Sequence, residues 1–177
     1  MKIRADMQYR QEEHDRLFHW DIYCLSKHNR LKHLTLHLAK YQGKYLVQQA
    51  AKNDEGKFAV KVDAIIVLMS MANVINYQIT GSYAPVVNGF SYDEIIIETS
   101  KLCKVIEALD HMESMDFRSE IQSCIEKLFY FWQVVPADED VKWDDILARL
   151  EQVEQKHFMY DHVIELHPHL SPRFKRD

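Results

Sequence analysis

The chain has 177 residues, of which 47% are hydrophobic and 28% charged, with a net charge of −5. These totals are ordinary for one soluble domain with a full core, and nothing in the overall charge points to nucleic acid. The longest apolar run, Ala64 to Met69, is far short of the ~20 residues that a membrane span needs.

Only 4 Gly and 4 Pro occur, which favours long helices over a many-turned β fold. The opening MKIRADMQYRQEEHDR has no apolar stretch of the kind a signal peptide carries. Cys24, Cys103 and Cys124 lie among apolar neighbours without a CxxC pair and read as buried free thiols. A cytoplasmic protein is therefore expected. Charge is uneven along the chain. Up to Lys61 there are 12 basic and 7 acidic residues; the rest has 10 basic and 20 acidic. Such a split could orient a phosphate-bearing ligand or a partner subunit, or simply reflect two differently solvated halves.

Periodicity predicts six helices. The first runs from about Asp6 to Ser26, with Leu17, Phe18, Ile22, Tyr23 and Leu25 on its apolar side. The second and third form a hairpin over residues 28–80, turning at Asn53-Asp54-Glu55-Gly56 and ending at Thr80-Gly81. A loop with Pro85 and Gly89 follows. The fourth and fifth helices form a second hairpin over residues 91–133. It opens on the capping-box sequence Ser91-Tyr92-Asp93-Glu94 and stops before Pro136. The sixth helix covers residues 140–159. A tail with Pro168 and Pro172 closes the chain. No linker divides residues 1–177. The expected architecture is one all-α domain, a helical bundle of about six helices. Two antiparallel hairpins make its four-helix core, with the first and sixth helices packed outside.

The second helix carries the clearest chemical signal. His33, His37, Lys40 and Lys44 fall on one line, flanked on both sides by apolar residues. Such a stripe either lines a polar pocket inside a bundle or snorkels over an apolar surface. His33 and His37 have the i, i+4 spacing of zinc-protease histidines, but HLTLH lacks the glutamate of HExxH. Gly43 in mid-helix suggests close approach of the hairpin partner. Asp63 precedes the apolar AIIVLM, where a carboxylate needs a partner, and Lys40 or Lys44 is the expected one. Its alternative role is that of an acid favoured by the helix dipole in the first turn.

LAKYQGKYL and VKVDAIIVLMSMAN give the first hairpin its family likeness. It resembles the all-α nucleotide pyrophosphatases of the MazG-like and dimeric dUTPase-like superfamily, whose EExxE and ExxD motifs hold magnesium. Over that pattern Lys40, Tyr41 and Lys44 occupy the three glutamate positions. Val60 replaces a fourth acid, Asp63 matches the aspartate, and Ala72-Asn73 match the common ending. The resemblance implies an ancestral hydrolysis of nucleoside triphosphates. Magnesium needs several hard oxygen ligands, which two lysines and one aspartate cannot supply. The expected function is thus a nucleotide-, anion- or partner-binding module, with His33, His37, Lys40, Tyr41, Lys44, Asp63 and Asn73 as candidate ligand-binding residues.

Two alternatives stand beside it. Glu94, Glu98, Glu113, Asp116 and Glu120 on the second hairpin could together hold Mg2+ in a pyrophosphohydrolase, although Glu94, Glu113 and Asp116 also suit helix N-termini. No cofactor is otherwise implied. The apolar row Phe129, Tyr130, Phe131 and Trp132 exceeds one helix face and suggests a homodimer or larger oligomer.

Overall fold

A computed structural model describes residues 3–83, 91–111, 113–135 and 140–170. Every regular element among them is helical, in the order α1 (Ala5–Phe18), α2 (Trp20–Tyr23), α3 (Lys27–Ala50), α4 (Asp54–Val74), α5 (Tyr92–Ala108), α6 (Phe117–Val134), α7 (Trp143–Glu154) and α8 (Tyr160–Leu166). A 3₁₀ turn at Pro168–Leu170 follows. The signals at Pro85, Gly89, Pro136 and Pro172 lie outside the described residues.

Helix starts follow local chemistry. The side chains of Ser26, Asn53 and Asp116 each accept from a backbone N–H in the first turn of the helix they cap, at 3.0–3.2 Å. Ser91 and Glu94 form the expected reciprocal capping box. Between α3 and α4 the turn is tighter than expected, because Lys52 takes a left-handed conformation (φ 53°). The close approach expected at Gly43 occurs at Gly56 instead. A Cβ on Gly56 would run into Gln48 and Asn53, whereas nothing lies within 4 Å of one built on Gly43.

α3 packs on α4 and α5 on α6, while α3 also meets α5 and α4 meets α6. These four close the core, and α1 and α7 lie together against α4. α4 is therefore surrounded on most sides, and residues from Val60 to Val74 are buried around nearly its whole circumference. It ends six residues before Thr80. Asn76 turns left-handed (φ 50°), and the chain continues as an extended strap held by side chains from elsewhere. Gln8 takes the Ile79 N–H and donates to the Tyr77 carbonyl, at 2.9 and 2.8 Å. The buried Glu126 accepts from the Thr80 and Gly81 amides and from the Thr80 and Tyr77 hydroxyls, at 2.6–3.0 Å. The strap's backbone groups thus find partners without a helix.

Three expectations need correction. Phe129, Phe131 and Trp132 are buried within the chain, not displayed for a partner. α6 meets α4 and α5, and Trp132 stands edge-on to Tyr45 (5.9 Å between centroids) while Phe131 stands edge-on to Tyr83 (5.8 Å). Cys24 and Cys103 are exposed; only Cys124 is buried. The first predicted helix breaks at His19 (φ −129°, ψ 39°), where α2 turns off. Among the described residues no helix is long and apolar enough to cross a membrane.

Candidate functional site

α1, α3, α4 and α7 enclose a cavity of about 210 Å³. Its apolar wall comes from Ile22, Leu34, Ile66, Val67, Leu150 and Val153. α3 contributes Arg30, His33, His37 and Tyr41, which share one side of that helix. α1 and the break after it contribute Gln11, His14, Asp15 and His19. α4 adds Asp63 and Ser70, and α7 adds Arg149.

Both carboxylates in the wall are engaged. Asp15 accepts from the Gln11 side-chain amide at 2.9 Å and from the Ser70 hydroxyl. Asp63 accepts from Arg149 Nε at 2.7 Å and Nη2 at 3.2 Å. The expected partner of Asp63, Lys40 or Lys44, is thus replaced by Arg149. The planar fork of a guanidinium matches both carboxylate oxygens, which one ammonium cannot do. That hydrogen bond, opposed by burial, holds the Arg149 guanidinium above its usual range.

Lys40 and Lys44 sit at the lip, exposed. The Lys40 ammonium lies 3.3 Å from His37 Nδ1 and 4.9 Å from the Tyr41 ring centroid; that of Lys44 lies 5.7 Å from the same centroid. Neither makes an ion pair among the described residues, and nor does Arg30, whose guanidinium stacks 4.4 Å over Tyr23. Partial burial, then repulsion from Lys44, pulls the Lys40 pKa down. Burial and then Lys40 and His33 pull His37 down to about 4, so its ring is neutral at ordinary pH. The His33 and His37 rings stand 4.6 Å apart. Burial, then Asp63, pushes the Tyr41 phenol up to about 12, which keeps it a neutral donor. His37 and Tyr41 are therefore neutral, while Arg30, Lys40 and Lys44 beside them have no carboxylate partners among the described residues.

Behind the cavity, Glu154 is buried at 1% exposure. It accepts from Arg10 Nη2 on both oxygens, at 2.8 and 2.9 Å, and from His14 Nδ1 at 2.8 Å. Burial alone would raise its pKa; His14 and Arg10 together outweigh that and hold it below the ordinary value.

Of the residues expected at a ligand site, His33, His37, Tyr41 and Asp63 line this cavity, and Lys40 and Lys44 border it. Asn73 does not. It exchanges hydrogen bonds with Gln8, at 2.9 and 3.0 Å, and ties α1 to the end of α4. The five acids of the second hairpin do not gather. Glu94 caps α5, Asp116 caps α6, and Glu113 pairs with Lys104 at 3.1 Å. Glu98 is buried between Lys101 and Lys127, at 3.1 and 3.2 Å, and Glu120 is exposed. Four of the five acids thus have a nearer use than a shared cation. Among the described residues no group of three or more His, Cys, Asp or Glu side chains could hold a metal ion, the His33–His37 pair included.

The sequence alone missed Arg30, His14, Asp15 and Arg149. Arg30 precedes His33 by three residues and falls beside the stripe already singled out, so spacing could have found it. The others come from helices that periodicity places outside the core. No family model, curated protein or solved structure matches this chain. Fold and cavity define its class: an all-α bundle with a ring-lined cavity, apolar on one wall and carrying charged groups on the others, between its core and its outer helices.

Proposed function

We propose that the protein is a binding module whose cavity takes a nucleotide, or a similar ligand that joins a flat ring to a phosphate, without magnesium. The observation that carries this reading is the row of cations along α3, Arg30, Lys40 and Lys44, unpaired with carboxylates among the described residues and beside a cavity lined by imidazoles and phenols. Mutually repelling cations are stabilised by an anion placed among them, and planar rings suit a heterocyclic base. The kinship with MazG-like hairpins belongs to the same proposal. It rests on LAKYQGKYL and VKVDAIIVLMSMAN, with the metal acids replaced by groups that meet phosphate directly.

Calorimetry with ATP, ADP, AMP and adenosine in excess EDTA tests it. Nucleotides bind and adenosine binds more weakly; Arg30→Ala and Lys40→Ala each weaken nucleotide binding about tenfold, the size of one charge-assisted hydrogen bond. No heat with any nucleotide refutes the reading.

A second reading, a structural oligomer, is favoured by another observation. Leu36 and Val47 on α3 are 69% and 64% exposed, and Ile97 on the adjacent α5 is 53% exposed.

A further inference from the structure

His14 is 3% exposed and lines the cavity. Its inner nitrogen, Nδ1, faces Glu154 at 2.8 Å. An ionised carboxylate only accepts hydrogen bonds, and Arg10 across both oxygens keeps Glu154 ionised. Nδ1 therefore carries a proton, which leaves Nε2 as the nitrogen available to the cavity. Nε2 bonds to no group among the described residues, and it is not one of the side-chain atoms buried without a partner. A histidine serving only the core would have both nitrogens occupied or shut in. Here one nitrogen is held by a buried carboxylate and the other is open, the arrangement that general bases use.

We propose that the cavity is a hydrolytic centre for phosphate esters or anhydrides that needs no metal ion, with His14 as its base and Glu154 as the residue that positions it. This rests on the reading that a phosphate-bearing ligand binds there. The oxygen of a water bonds to phosphorus as the bond from phosphorus to the leaving oxygen breaks. His14 Nε2 takes the water's proton, and the leaving group departs with the electron pair of the broken bond. Arg30 and Arg149 line the same cavity as His14. Arg30, which has no carboxylate partner among the described residues, supplies positive charge for the departing oxygen and the phosphoryl oxygens, and Arg149 holds the Asp63 carboxylate. The Asp15 and Asp63 carboxylates are each engaged by neighbours, so neither competes with His14 for the water's proton.

The experiment uses bis(p-nitrophenyl) phosphate and ATP, both in excess EDTA, with ATP affinity measured in parallel. The wild-type chain releases p-nitrophenolate. His14→Gln lowers kcat about 100-fold or more, the usual share of a general base, while ATP affinity stays within about threefold. Glu154→Gln lowers kcat about tenfold and is rescued in part by Glu154→Asp; if Glu154→Gln does not fold, His14→Gln alone decides. ATP binding with neither substrate turned over overturns the role of His14 and leaves the binding module standing. Diester turnover that depends on His14, with no nucleotide bound, keeps His14 as base and overturns the nucleotide reading. Turnover unchanged in His14→Gln, or neither turnover nor binding, overturns the proposal.

Discussion

Asp63 shows how one side chain chooses among partners. Lys40 and Lys44 are the cations that its own hairpin offers, yet the acid is 86 residues from the arginine it binds. Side-chain exposures of 15% and 32% place the pair in a partly screened position. Asp63→Ala is therefore expected to cost about 1–2 kcal/mol, below the figure for a fully buried pair. Arg149→Ala should cost a similar amount, and the double variant less than the sum. Lys40→Ala should change stability by less than about 0.5 kcal/mol. Urea unfolding of these variants, with the Asp63→Ala/Lys40→Ala double, gives both couplings, and coupling of Asp63 to Lys40 instead of Arg149 would contradict the assignment.

His37 makes a pH prediction at the same scale. Its pKa falls from 6.5 in the unfolded chain to about 4 in the fold, so the unfolded state binds the proton more tightly. Stability is then lost as pH drops from 6.5 towards 4. Glu154, with its pKa depressed from 4.5, adds a further loss at more acid pH. Melting temperature should fall with acidification, and His37→Gln should flatten the slope between pH 6.5 and 4 while leaving the lower limb in place. An unchanged slope in that variant would mean that other groups carry the transition.

At the scale of elements, starts were easier to read than stops. Ser91, Glu94 and Asn53 act within their own first turns, so four residues of sequence contain the whole mechanism. The stop of α4 does not work that way. Tyr77, Ile79 and Thr80 continue a plausible helical pattern, and the groups that pull them into a strap are Gln8 and Glu126, about 70 and 46 residues away. The same division runs through the cavity. His33, His37, Tyr41 and Asp63 were legible because they share one hairpin, while His14, Asp15 and Arg149 depend on how outer helices dock. Glu126→Gln tests the strap. A neutral amide can still donate or accept, but it cannot accept from four donors at once. Loss of about 1–3 kcal/mol is expected, with the Thr80 and Gly81 amides exchanging hydrogen faster than those of α4. Slow exchange of both amides in the variant would show that the strap holds by packing of Ile79 alone.

For the molecule as a whole, the exposed apolar groups include a set on the neighbouring α3 and α5: Leu36, Leu46 and Val47, with Ile96 and Ile97. Leu36, Gly43 and Val47 share one side of α3, and Gly43 leaves open space above its backbone. α3 carries no acid, so Lys40 and Lys44 border this side without compensation. Should light scattering at micromolar concentration report a mass above one chain, Val47→Asp should restore the single-chain mass. Tyr130→Ala should leave the assembly intact and register as a stability loss, since Tyr130 packs on Tyr83 and Phe131. Dissociation by Tyr130→Ala with unchanged stability would return the contact to α6.

Arg10 and His14 meet Glu154 across 144 and 140 residues of chain. The core hairpins close over much shorter spans, so loop-closure entropy lets them form first. On a ribosome the α3–α6 core can assemble while the last wall of the cavity is still unmade. Until α7 has emerged and docked, His14 has no carboxylate behind it and Asp63 has no arginine before it. The cavity wall is thus completed only once synthesis has passed Glu154.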